Sequence, residues 1–143
     1  LSDEEEVVKK KIMSMFTDPN HLRVQDPGRV EGNPVFIYLD AFSRPEHFSE
    51  FLPEYQNLDE LKAHYQRGGL GDVKVKKFLN NVMQAELGPI RERRKMWEQR
   101  TVDVFDILKA GTEVAREKAA ATLHDVRSSM RINYFEDQDF LNQ

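Results

Sequence analysis

Eight cations fall between Asp72 and Arg100: Lys74, Lys76, Lys77, Arg91, Arg93, Arg94, Lys95 and Arg100. Four carboxylates, Asp72, Glu86, Glu92 and Glu98, share that stretch, so it is locally basic by +4 in a chain of net charge −4. Lysine and arginine make phosphate contacts, and amides and arginines reach base edges. At helical spacing, positions 74, 77, 81, 84, 88, 91, 95 and 98 share a face that reads Lys, Lys, Asn, Gln, Gly, Arg, Lys, Glu. A second stripe at 116, 120, 124, 127 and 131 reads Arg, Ala, His, Arg, Arg. The candidate RNA-contacting residues are Lys74, Lys77, Arg91, Lys95, Arg116, Arg127 and Arg131 of these stripes, with Arg94 from the dense basic cluster at 91–100. RNA is usually read through splayed single-stranded bases, which suits such mixed faces. The same pattern also fits solvated helix surfaces that bind nothing.

Other chemistry finds less support. "HYQRGGLGDVKVKKFL", residues 64–79, places Gly68, Gly69 and Gly71 before a lysine-bearing segment. A glycine loop feeding a helix can cradle phosphate. Here Asp72 follows Gly71 where a nucleotide loop needs lysine, Lys74 stands where GxGxxG needs its third glycine, and no strand-like run precedes it. A helix–loop–helix joint explains it instead, with Gly68 ending one helix and Gly71 or Asp72 capping the next. His21, His47, His64 and His124 lack metal-ligand spacing. The carboxylates cluster at helix starts and on polar faces, and no nucleophile elbow is present, so no catalytic residue, metal ligand or cofactor site is expected.

The elements that position these stripes follow from caps and periodicity. Ser2-x-x-Glu5 is a capping box for a helix over about 3–15. "TDPNHLRVQDPGRVEGN", residues 17–33, reads as a long loop. Asn33-Pro34 opens an almost wholly apolar helix, Ser43 with Glu46 a third, and Asn57 with Glu60 a fourth. Val75, Phe78, Leu79, Val82, Met83, Leu87, Ile90 and Trp97 form the inner face of a long helix over 72–98, kinked at Pro89. Thr101 caps a short helix with Val104, Phe105 and Leu108 inside, stopped by Gly111, and Thr112 caps the last. Phe135 and Phe140 lie in a terminal stretch able to dock or fray. No segment alternates as a strand does. The fold class is all-α, a bundle of about six or seven helices: 1–33 helix and connecting loop, 34–131 bundle, 132–143 tail.

At 143 residues the chain suffices for one domain with a real core. Its acidic balance argues against generic nucleic-acid binding by the whole chain, no apolar run approaches the roughly 18 residues of a membrane span, and no basic leader precedes Asp3-Glu4-Glu5-Glu6. With no cysteine there is no disulfide framework, which fits a cytosolic setting.

Five stretches in order, "VKKKIMSMFTDPNHLRVQDPG", "GNPVFIYLDAF", "YQRGGLGDVKVKKFL", "LGPIRERRKMWE" and "AREKAAATLHDVRSSMRINYF", resemble the bacterial tryptophanyl-tRNA synthetases, class I aminoacyl-tRNA synthetases. Gly69, Gly71, Asp72 and Lys74 match the family's Gly-x-Gly-Asp-x-Lys joint, and Pro89-Ile90-Arg91-Glu92-Arg93-Arg94 matches the end of the helix that follows. "KIMSM", residues 11–15, only superficially resembles the KMSKS signature, for it lacks the second lysine. The resemblance implies a C-terminal fragment starting just after KMSKS, a helical anticodon-binding domain without catalytic motifs or cofactors of its own. It implies a cytoplasmic, homodimeric parent ligase that joins tryptophan to tRNA(Trp) using ATP and magnesium. The expected partner of these residues is tRNA(Trp), with no DNA and no membrane. A helical protein-interaction or dimer-supporting module is the alternative.

Overall fold

Regular structure among the described residues is entirely helical, as the periodicity predicts. The computed structural model describes residues 3–134. Its helices are α1 (Glu5–Met13), α2 (Pro34–Phe42), α3 (Pro45–Phe51), α4 (Leu58–Arg67), α5 (Asp72–Glu98) and α6 (Thr101–Ser129). The Ser2 cap and the Phe135 and Phe140 positions lie outside the described residues. None of the described helices is long and apolar enough to cross a membrane.

Local chemistry sets most of the boundaries. The Val35 N–H donates to the Asn33 side chain at 3.0 Å, and Pro34 occupies the first helical position, where its missing N–H costs nothing. The Glu60 N–H donates to Asn57 Oδ1 at 2.9 Å, while Glu60 reaches back to accept from the Gln56 N–H at 2.8 Å. Ser43 does not cap α3. Its N–H donates to the Leu39 carbonyl at 2.9 Å and so closes α2. Pro45 is the reason: it takes the first helical position and forces the residue before it, Arg44, into extended backbone at φ −130°, ψ 161°. His47 Nδ1 then accepts from the Arg44 N–H at 3.1 Å. α5 runs unbroken through Pro89.

The chain divides into two compact units at the Arg94–Lys95 boundary. In the first, α2, α4 and α5 supply most of the core. Phe36, Leu39, Leu61, Tyr65, Val75, Phe78, Leu79 and Val82 are almost fully buried there. Each such side chain contributes about 1.5–3 kcal/mol by leaving water. Phe48 of α3 meets Phe78 of α5 with ring centroids 4.7 Å apart, and Phe36 meets Tyr65 at 4.9 Å.

The 17–33 loop is stapled onto this core. Gly28 donates its N–H to the Tyr65 carbonyl at 2.9 Å, and a Cβ there would sit 2.2 Å from Tyr65 Cε1. Gly69 donates to the Val24 carbonyl at 2.7 Å. Gly68 adopts φ +90° and passes so close to the Gln25 carbonyl that a Cβ would lie 2.3 Å from its oxygen. Close approach thus requires glycine at positions 28 and 68, and positive φ favours it at Gly68 and Gly69.

In the second unit, α6 is one helix of 29 residues, where a break at Gly111 is expected from sequence. Thr112 does not cap: its hydroxyl donates to the Leu108 carbonyl at 2.7 Å, the back-bonding of a mid-helix threonine. A helix-interior glycine costs only about 1 kcal/mol relative to alanine, which the flanking helix formers outweigh. Phe105 and Leu108, expected inside, are exposed. Trp97, expected in the core, is exposed as well and carries the Arg100 guanidinium over its ring at 4.9 Å.

Candidate nucleic-acid interface

The first turns of α5 carry the best-defined candidates. Tyr65 donates its hydroxyl to Asp72 Oδ1 at 2.6 Å, and the buried ring of His21 lies edge-on to Tyr65 at 4.8 Å with Nδ1 3.7 Å from Asp72 Oδ2. Burial, and then the hydrogen bond to the Asp72 carboxylate, hold the Tyr65 hydroxyl well above the usual phenol range. Loop, α4 and the start of α5 are therefore tied at one polar knot, which fixes the register of the lysines that follow.

Those lysines have three different fates. Lys74 is exposed, pairs with Glu54 at 2.8 Å and lies 5.9 Å from the Tyr55 ring centroid. Lys77 is exposed and, among the described residues, has no hydrogen-bond or ion-pair partner. Lys76 is buried: its Nζ donates to the Met13 carbonyl at 3.1 Å and the Met15 carbonyl at 2.7 Å, closing the end of α1. One of the eight cations counted in the basic stretch is thus spent on structure. The apolar series Val75, Phe78, Leu79 brackets it, and that proximity to the core face is the sequence signal for its burial.

Further along the same face, Gln84 donates to the Glu5 carbonyl at 3.1 Å and to Asn80 Oδ1 at 3.2 Å, and accepts from the Arg91 guanidinium. Arg91 is half-buried, with its second terminal nitrogen enclosed and unpartnered among the described residues. Arg94 is exposed. At about 100° per residue it lies three positions beyond Arg91, roughly 60° round the helix from it and farthest of these residues from Lys74. By this phase Lys74, Lys77 and Arg91 share one side of α5, with Arg94 at its edge beside Arg91.

Lys95, Arg116, Arg127 and Arg131 belong to the second unit, and all four are exposed. Arg131 sits just past α6 at φ +56°. Its N–H donates to Ser128 and that of Ile132 to Arg127, which makes Arg131 the left-handed residue of a Schellman closure.

Two amides of the glycine joint are engaged within the fold. Gly68 donates to the Tyr65 carbonyl at 3.3 Å and Gly69 to Val24. Among the described residues, no three His, Cys, Asp or Glu side chains converge to hold a metal ion.

The chain is 56% identical over 135 residues to the tryptophan–tRNA ligase of Clostridium longisporum and 52% identical over 135 residues to that of Streptococcus mutans, each match covering 94% of this chain. The chain spans only 37% and 38% of the length of those relatives. No family model matches. The fold is shared with a crystal structure of tryptophanyl-tRNA synthetase from Campylobacter jejuni, at a TM-score of 0.67 and 23% identity over 90% of this chain and 38% of that one.

Proposed function

Because the chain belongs, over the C-terminal portion that it spans, to the tryptophan–tRNA ligase family, we propose that it is the tRNA-gripping helical part of such a ligase. The observation that carries this reading is the 56% identity, over 94% of the chain, to a tryptophan–tRNA ligase. The exposed cations of α5 support it. Lys74 and Lys77 meet backbone phosphates of tRNA(Trp) near its anticodon, and Arg91, Arg94, Asn81 and Gln84 supply adjacent polar groups. Lys95, Arg116, Arg127 and Arg131 add cations from the second unit. The acidic remainder of the chain limits indiscriminate sticking, since phosphate attraction drives nonspecific binding. The whole ligase joins tryptophan to tRNA(Trp) with ATP and magnesium, works as a homodimer in the cytoplasm, and keeps its chemistry outside these residues. We assign residues 34–131 to the gripping domain and 1–33 to the connection with the rest of the enzyme.

The exposed Phe105 and Leu108 on α6 favour a second reading, a protein-interaction or dimer-supporting surface. Titration of labelled tRNA(Trp) and of a noncognate tRNA with the 143-residue chain separates the two. Preferential binding of tRNA(Trp) is expected. Equal or absent binding of both RNAs refutes the proposal.

A further inference from the structure

A small cleft beside Lys74 carries chemistry that the basic stripe does not explain. It is about 310 Å³ and is lined by Glu54, Tyr55, Glu60, Ala63, His64 and Arg67. That lies at the lower end of ligand-pocket volumes, roughly 300–1,000 Å³, so it suits one small planar group with its attached anion.

The wall is rigid and aromatic. Tyr55 is buried, and its hydroxyl shares a 2.7 Å hydrogen bond with His64 Nδ1. The two rings lie 5.8 Å apart, tilted by 42°. Gly69 backs the imidazole so closely that a Cβ there would sit 3.1 Å from Nε2. The Tyr55–His64 bond and the glycine backing together fix the His64 ring.

The rim holds opposite charges with separate duties. Glu60 Oε2 is engaged by the Gln56 N–H, which holds the carboxylate while no described residue engages Oε1. Arg67 is exposed and has no ion-pair partner among the described residues. Lys74 stands at the Glu54 side. A bare phosphate gains from Arg67 but is repelled by Glu54 and Glu60. A nucleotide satisfies both ends: an exocyclic amine donates to the carboxylate, the ring packs on the aromatic wall, and the phosphate meets Arg67. Carboxylates read amine-bearing bases in this way, and splayed single-stranded bases are what aromatic side chains accept.

We propose that this cleft is a subsite for one unstacked, amine-bearing base of the tRNA, with Glu60 reading its amine, His64 and Tyr55 forming the wall, and Arg67 holding its phosphate. The subsite rests on the tRNA-gripping reading above and extends it to four residues outside the basic stripe.

The test uses the full 143-residue chain, a tRNA(Trp) transcript, and the same transcript with each anticodon-loop base removed in turn. Wild type should lose about 5- to 100-fold in affinity when one particular base is absent. In Glu60→Gln, which retains an oxygen for the Gln56 N–H, that loss should shrink several-fold. Arg67→Gln should weaken binding to all transcripts and flatten the salt dependence by about 0.7. Circular dichroism checks that both variants fold. If folded Glu60→Gln shows the same base-dependent loss as wild type, and Arg67→Gln binds as wild type does, the subsite is overturned while tRNA binding stands. A wild-type chain that binds no tRNA overturns both.

Discussion

Tyr65→Phe removes one oxygen and leaves the packing of a fully buried ring in place. The lost hydroxyl donates to Asp72 at 2.6 Å, a hydrogen bond to a charged acceptor. Such bonds contribute about 1.5–3 kcal/mol. The Asp72 side chain keeps 21% of its exposure, so water replaces part of the bond, and we expect a loss of about 1.5 kcal/mol at pH 7, or roughly 5 °C in melting temperature. The alkaline side gives a second, independent sign. The hydroxyl is held above the usual phenol value by burial and by Asp72. A group raised on folding contributes stability that is complete below its unfolded pKa, about 10, and is lost as pH climbs toward its folded value. Wild type should therefore lose stability above pH 10 more steeply than Tyr65→Phe, and the two curves should converge. Urea unfolding followed by circular dichroism between pH 7 and pH 11 measures both. A variant as stable as wild type at pH 7, or one that falls as steeply above pH 10, refutes the knot of Tyr65, Asp72 and His21 as an anchor.

Lys76→Met keeps the aliphatic stem but withdraws the donor from the Met13 and Met15 carbonyls. It should cost about 1–3 kcal/mol in urea unfolding, with faster hydrogen exchange at the end of α1. Gly111→Ala should stabilise α6 by about 1 kcal/mol, because a Cβ there meets nothing within 4 Å. Mean-residue ellipticity at 222 nm should rise or stay level in that variant and its thermal midpoint should increase; a decrease in either would place a break in α6 after all.

The legible parts of the fold are those decided within a few residues. Asn33-Pro34 and Asn57-x-x-Glu60 mark helix starts because the capping groups lie beside the amides they serve. The apolar phase from Val75 to Leu87 identified the buried face of α5 and carried the helix across Pro89. Ser43 misled because proline two residues later controls where α3 begins. Gly111 and Thr112 misled because residues that punctuate short helices are tolerated inside a long one. The remaining features depend on contacts between distant segments. Nothing near Lys76 in sequence announces that its ammonium closes α1, and Gly28 reads as one more loop glycine until Tyr65 is seen against it. Within the candidate interface, helical phase alone places Lys74, Lys77 and Arg91 on one side of α5, with Arg94 one three-residue step beyond Arg91. The half-buried state of Arg91, donating to Gln84, required the structure.

The central claim is that Lys74 and Lys77 hold tRNA backbone phosphates. Its most direct test is the salt dependence of tRNA(Trp) binding for wild type and for the Lys74→Ala, Lys77→Ala double variant. Each phosphate contact removed should flatten the slope of log affinity against log salt by about 0.7–0.9, so the double variant should lose about 1.5 with its fold intact. An unchanged slope and affinity in a folded double variant would contradict the account.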